Sequence, residues 1–281
     1  MHSASACPSC VMCYKKVVKP RGGNSNPDSR SERIPLVFGV SGHRDLLPAD
    51  LPKLSEQLRS IFARFRAAYP STPFKLITPL AEGADRLAAE AALAVEIGLL
   101  VPLPMEQQEY ERDFATDESI SEFRALLAKA DSHWEIPAAL NLTGKDRIRQ
   151  YAEVGDLIAR HSHVLILFWD GRDNRKVGGT AWVRKRREHW VNAASGSLRG
   201  IAPLGYGPTI QVVTPRASGG LFQPRPAIIG DLPPGAAEFA VTLRKPPSHK
   251  RGGKRQERPP LYQFVYWAIN SFNAAVPGPV R

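Results

Sequence analysis

The run Val164-Leu165-Ile166-Leu167-Phe168-Trp169 is apolar throughout, with no polar residue in alternation. A strand with one face in water would alternate, so this one is covered on both faces, as in the middle of a parallel sheet sandwiched by helices. Parallel neighbours cannot be joined by a tight turn; each needs a crossover, usually helical. The chain between 34 and 215 supplies that order. Short apolar runs predict strands over 36–40, 74–78, 99–103 and Thr209–Val213, and helical periodicity predicts helices after residue 50 and over 85–97, 118–130 and 146–160. The first of these helices carries Leu51, Leu54, Leu58, Ile61, Phe62, Phe65 and Ala68 on one stripe, and the last directs Ile148, Tyr151, Leu157 and Ile158 inward. The expected fold is α/β, a Rossmann-like open parallel sheet flanked by helices.

Composition divides the chain into four parts. Residues 1–33, rich in Ser, Pro, Gly and Asn, read as a disordered leader, 34–215 as the globular unit, and 216–260, with its KRGGKRQERPP run, as a basic Pro/Gly-rich linker. Residues 261–281 hold a short amphipathic helix, with Leu261, Phe264, Val265, Ala268, Ile269 and Phe272 at helical spacing, and a tail. Such a helix is marginal alone, so it docks on the core, on a partner, or opens a further domain. The net charge of +11 is confined to the extensions, because 34–215 carries 22 basic and 22 acidic residues. A module that grips a duplex carries its own basic face, so nucleic acid is expected only through the basic tails. The three cysteines, Cys7, Cys10 and Cys13, are an odd number outside the core, which points to a reducing compartment rather than a disulfide framework. Their spacing lacks a fourth zinc ligand other than His2, so no metal site is expected. No apolar stretch follows the basic N-terminal residues and none reaches the roughly 18 residues of a membrane span, so a cytoplasmic location is expected.

In an open parallel sheet the ligand site lies beyond the carboxyl ends of the strands. Three such ends share a character here: Ser41-Gly42-His43-Arg44-Asp45; the PLAEGADR segment with Ala81, Gly83, Ala84, Asp85 and Arg86; and Gly178-Gly179-Thr180 before a helical stretch. Small residues before a helix leave backbone N–H groups and a positive dipole end facing outward, and phosphate is the natural guest. Gly42, Arg44, Gly83, Gly178, Gly179 and Thr180 are the expected phosphate holders, with Arg86 at the start of its helix. His43, Asp85 and Asp170 are placed to address ribose or a second phosphate. Each also has a plain structural role open to it: turn glycines, Arg44 and Arg86 paired with Asp45 and Asp85, Asp170 capping a turn, Trp169 in the core. The run Arg184-Lys185-Arg186-Arg187 reads as a solvated helix face. No Ser or Cys stands in an activating context, so no catalytic residue is expected.

These residues resemble the SLOG superfamily, named for the DNA-processing proteins Smf/DprA and the cytokinin-activating enzyme Lonely Guy (LOG). The resemblance rests on the strand ending in Gly-His-Arg, on the segment TPLAEGADRLAAEAALAVEIGLLVPLP and on the later Gly-Gly-Thr. Ala81, Gly83, Asp85, Ala89 and Gly98 match the DprA-like order, and Gly178-Gly179-Thr180 matches part of the LOG phosphate loop. The resemblance covers 34–215 and implies a Rossmann-like domain that binds a nucleotide-derived ligand of the AMP, ADP-ribose, NAD or cyclic nucleotide class. The SGHRD version further resembles SLOG domains of bacterial conflict systems, which implies a sensor controlling an effector in defence or stress, a homo-oligomer, and an effector protein or downstream domain reached through the terminal helix. LOG enzymes carry Glu two and three positions after the Thr; this chain has Trp182 and Val183 there and lacks the intervening x-Gly. Binding without turnover is therefore the expectation. A LOG-like nucleoside 5'-monophosphate phosphoribohydrolase using Glu82 or Asp85 is the alternative, and a DprA-like nucleic-acid binder the second.

Overall fold

A computed structural model of the chain describes residues 16–17, 33–138, 142–195, 207–219 and 261–276. Among the described residues, seven strands form one sheet in the order β1-β5-β4-β3-β2-β6-β7. They are β1 (Lys16–Val17), β2 (Leu36–Gly42), β3 (Phe74–Ile77), β4 (Gly98–Leu103), β5 (Ser132–Glu135), β6 (Val164–Trp169) and β7 (Thr209–Val213). From β2 to β7 all pairings are parallel, and only the two-residue β1 runs antiparallel, against β5. The expected Rossmann-like sheet is the observed one. The leader, the linker and Cys7, Cys10 and Cys13 fall outside the described residues, apart from β1 and the first residues past 215.

The unbroken apolar run of β6 is explained by two cores. Val164, Ile166 and Phe168 face one layer with α1 (Leu51–Ala68), α2 (Ala84–Leu93) and α4 (Asp117–Ala128); Leu165, Leu167 and Trp169 face the other, with α5 (Gly144–His161) and α6 (Thr180–Ser195). In the first layer the ring of Phe38 meets Phe62 and Phe65 at 5.1 Å and Phe74 at 5.6 Å, edge-on or tilted, which are favourable aromatic geometries. Local chemistry sets where the helices begin. Thr116 caps α4, and Thr143 with Asp146 forms a reciprocal capping box at the start of α5. Three elements escape sequence periodicity: β1, which falls within the stretch read as a disordered leader, the short α3 (Gln107–Glu111), and β5, whose Ser-His-Trp-Glu is half-buried throughout.

Arg187 is not on a solvated face. It is 1% exposed, and its guanidinium donates to the carbonyls of Ala159 (3.0 Å), Ser162 (2.7 Å), His163 (2.8 Å) and Gly207 (3.2 Å). It thereby closes the end of α5 and the entries to β6 and β7 with one side chain. Beside this seat lies the terminal helix α7 (Leu261–Ala275), docked on the core. Tyr266 is buried against Tyr69 and His163. Asn273 bonds both the N–H and the C=O of Ile34, at 2.8 and 2.9 Å, and Asn270 accepts from the Ser71 N–H and the Thr72 hydroxyl. The amphipathic stripe thus has a partner in its own domain. Val265 and Ile269 of the stripe pack against the core, whereas Phe272, expected on the same stripe, is exposed along with Trp267. Among the described residues no helix is long and apolar enough to cross a membrane, and no group of three or more His, Cys, Asp or Glu is placed to hold a metal.

Candidate functional site

The crossover from β2 leads to β3 on one side, and that from β6 leads to β7 on the other, so the loops after these two adjacent strands part. Between them lies a cleft of about 530 Å³, within the range of small-molecule sites. Its walls come from Gly42–Asp45 after β2, from Ala81 and Asp85 at α2, from Tyr110 of α3, from one face of α5, from 176–180 at the start of α6, and from Arg216.

The α6 wall is a cradle lined by two residues without side chains. Gly178 has φ +75°, and a side chain there would press on the backbone of Tyr151 and Ala152 at 3.1–3.2 Å. Gly179 accepts the first helical bond, from Val183 N–H at 3.0 Å, and so stands at the helix cap. The N–H groups of Thr180, Ala181 and Trp182 follow it without a helical acceptor. Lys176 sits exposed beside them, and no described carboxylate lies in ion-pair range of it. Ile148 and Val177, 49% and 46% exposed, form an apolar lip at the mouth. Ile148 therefore faces the cleft, not the core as its helical stripe implies, because the core stripe of α5 starts only one turn lower.

Opposite, Arg44, Asp85, Tyr110 and Tyr151 form a polar corner. Arg44 is exposed, with its guanidinium 5.3 Å from the centre of the Tyr151 ring. Tyr151 donates to Asp113, which Arg147 also binds. The Tyr110 ring is fixed by Phe114 and Phe123, and its hydroxyl is buried with no partner among the described residues. Asp85 is 6% exposed, and burial pushes its carboxyl up to about 7, against the pull of Arg44, the Ala81 N–H and the Thr78 hydroxyl. An acid whose native pKa exceeds its unfolded value of 3.8 binds more protons folded than unfolded between about 4 and 7, so its contribution to stability falls as pH rises through that window. Asp85→Asn removes the fall. Its melting temperature relative to wild type is expected to climb from pH 4 to pH 7 and level off above; a difference independent of pH would mean that Asp85 titrates normally.

His43 is buried and takes a specific tautomer. Its Nε2 accepts the Asp170 N–H at 3.0 Å, so Nδ1 carries the proton and is a donor, without an acceptor among the described residues. Burial, helped by Arg216, pushes its pKa down to about 4, although Asp170 favours the charged form. Asp170 itself accepts from Arg172 N–H and from Arg216 Nε, the latter at 3.2 Å. Arg216 lies just past the expected domain end, held where Ala217 N–H donates to Asp45 O at 2.9 Å.

Of the residues singled out from sequence, Gly42, His43, Arg44, Asp85, Gly178, Gly179 and Thr180 line the cleft together. Gly83, Arg86 and Asp170 do not line it. A side chain on Gly83, at φ +80°, would sit 2.6 Å from His43 O; the glycine lets Ala84 N–H reach that carbonyl at 3.0 Å and locks α2 onto the β2 loop. Arg86 is buried on Ser119, Glu122 and the carbonyl of Leu80, over the Phe114 ring, and Asp170 supports the wall from behind. Arg184, Lys185 and Arg186 pair with Glu188, Asp173 and Asp156. Tyr110, Tyr151, Arg147, Lys176 and Arg216 are in the cleft without having been singled out as site residues.

No family model and no curated protein matches the chain. Among solved structures it is similar to DNA processing protein A (DprA) from Streptococcus pneumoniae, with 14% identity over 56% of this chain and 47% of that one and a TM-score of 0.39. It is also similar to DNA processing protein A from Helicobacter pylori, described for its single-stranded DNA binding mode, with 15% identity over 55% and 61% and a TM-score of 0.39. Less than two thirds of either solved chain is covered.

Proposed function

We propose that the cleft binds a phosphorylated, nucleotide-class small molecule and that the domain works as its sensor. The carrying observation is the Gly178-Gly179-Thr180 start of α6, two of whose residues have no side chain, lining a cleft where Arg44 and Lys176 have no described carboxylate in ion-pair range. Phosphate sits at Gly178-Gly179-Thr180, where the helix dipole and the N–H groups favour it. Binding without turnover is supported by what stands at the first turn of α6. Val183 is buried in the core and Trp182 packs beside it, so neither offers an acid, and Glu82 is turned away onto Ser119 and the Ala115 N–H. As a sensor the domain acts by differential affinity, its ligand favouring one arrangement of α6. Because α6 also carries Arg187, beside the seat of α7, the terminal helix is the natural output toward an effector or a second copy.

A second reading, hydrolysis of an N-glycosidic bond, is favoured by Asp85 alone. Among the acids of the cleft, Asp45 is held by Ser218 and Asp113 by Tyr151 and Arg147, whereas Asp85 is buried with a raised pKa. The discriminating experiment is native mass spectrometry and calorimetry of the full chain with AMP, ADP-ribose, NAD and cyclic nucleotides, followed by chemical analysis of what was bound. A ligand recovered intact is the expected result. Free base plus sugar phosphate would make the protein a hydrolase, and no binding by any of them would overturn the nucleotide reading.

A further inference from the structure

We infer that the corner made by Arg44, Asp85 and Tyr110 reads the hydroxyl groups of a ribose, so that the cleft takes ribonucleotides in preference to deoxyribonucleotides. This rests on the nucleotide reading above and narrows it. The Tyr110 hydroxyl is the starting point. It is fully buried, its ring is pinned by Phe114 and Phe123, and it has no partner among the described residues, although the residue lines the cleft. A buried hydroxyl left unpaired is costly, and a ligand atom that meets it recovers the cost. Asp85 adds an acceptor. Its carboxyl takes bonds from the Ala81 N–H and the Thr78 hydroxyl, which leaves lone pairs for other donors. Arg44 adds donors, held over Tyr151 and within electrostatic reach of both Asp85 and Tyr110.

The corner therefore offers one carboxyl, one guanidinium and one phenol, with the formal charges cancelling when Asp85 is ionised. A second phosphate, which only accepts, would face the carboxylate and leave its lone pairs unused. A vicinal diol donates to the carboxylate and accepts from the phenol and the guanidinium, so it uses all three. Position agrees with chemistry. Tyr151 is the link between the corner and the cradle: its ring faces Arg44, and its backbone and Cβ lie against Gly178. One tyrosine thus separates the two subsites, as one sugar separates a 5'-phosphate from the 2'- and 3'-hydroxyls.

The test is calorimetric titration of the full chain with the four ribonucleoside 5'-monophosphates and their 2'-deoxy and 3'-deoxy counterparts, repeated with Tyr110→Phe, Asp85→Asn and Gly179→Asp. Wild type is expected to prefer the ribo form by roughly 10- to 100-fold. Tyr110→Phe should bring that ratio toward one while raising the melting temperature, an outcome that a structural role for the hydroxyl would reverse. Equal affinity for ribo and deoxy forms, with binding still lost in Gly179→Asp, would overturn the sugar subsite and leave the phosphate site standing. A ratio unchanged in both Tyr110→Phe and Asp85→Asn, or a nucleoside diphosphate bound far more tightly than the monophosphate, would also overturn it. Failure of every monophosphate to bind would overturn the nucleotide reading itself.

Discussion

Gly179→Asp is expected to weaken nucleotide binding by roughly 100-fold or more while leaving the fold at least as stable as before. The two halves of this result have one cause. Gly179 occupies the cap of α6, and its φ is not in the left-handed region; a side chain there would come no nearer than 3.2 Å, to the Lys176 carbonyl. Asp is among the best capping residues, and exchanging Gly for it gains a few tenths of a kcal/mol. The new carboxylate takes the N–H groups that the phosphate needs and adds a negative charge where the ligand brings its own. Loss of one or two charge-assisted hydrogen bonds, at about 1.5–3 kcal/mol each, is a loss on the order of 100-fold in affinity. Calorimetry with AMP and a thermal melt of the same sample check both halves. Gly178→Asp is no substitute for this variant, because φ +75° and the contact with Tyr151 would strain the loop. Retained affinity in Gly179→Asp would mean that the anion lies elsewhere.

The largest expected loss of stability follows from Arg187→Met, about 3–5 kcal/mol, which lowers the melting temperature by roughly 10–15 °C. Methionine fills much of the volume but offers no donor, and the carbonyls of Ala159, Ser162, His163 and Gly207 then face a buried site with one donor group fewer. Arg187→Lys should restore little, since a single ammonium cannot reproduce a planar fork that serves four acceptors. Denaturant unfolding of both variants is the measurement. A loss below about 1 kcal/mol would mean that water replaces the guanidinium without cost.

The same arginine marks where sequence reading stops. A run of four basic residues on a helix resembles a solvated face, and nothing local distinguishes Arg187 from its neighbours; its acceptors come from residues 20–28 positions away. The sheet was legible because its central strand is apolar on both faces, and the loops after β2 and before α6 were legible because glycines and charges follow the strand ends. Arg86 and Asp170 misled for the opposite reason. Charges beside a ligand loop look like ligand contacts, yet one clamps α4 and the other braces Arg216. Tyr110 gave no signal, since it sits in the short polar helix α3, and its place in the cleft depends on packing against Phe114 and Phe123. Tyr151 and Ile148 carry a signal that implies core, because periodicity identifies a helix face but not whether the upper half of that face meets a sheet or a cavity.

The bond between the Asp170 N–H and the His43 imidazole joins residues 127 positions apart in the chain, at the point where the loops of two neighbouring strands separate. It acts as a stitch across the base of the cleft, reinforced by His43 N–H to Phe168 O at 3.2 Å. With the base sewn shut, the cleft cannot widen by splaying the sheet. Any breathing that admits a ligand belongs to the rim, the exposed loop 172–177, where Asp173 and Asn174 each accept from the N–H two residues on and Asp173 also pairs with Lys185 of α6. A guest thus meets a fixed floor and an adjustable edge, and selectivity for its shape resides in the floor.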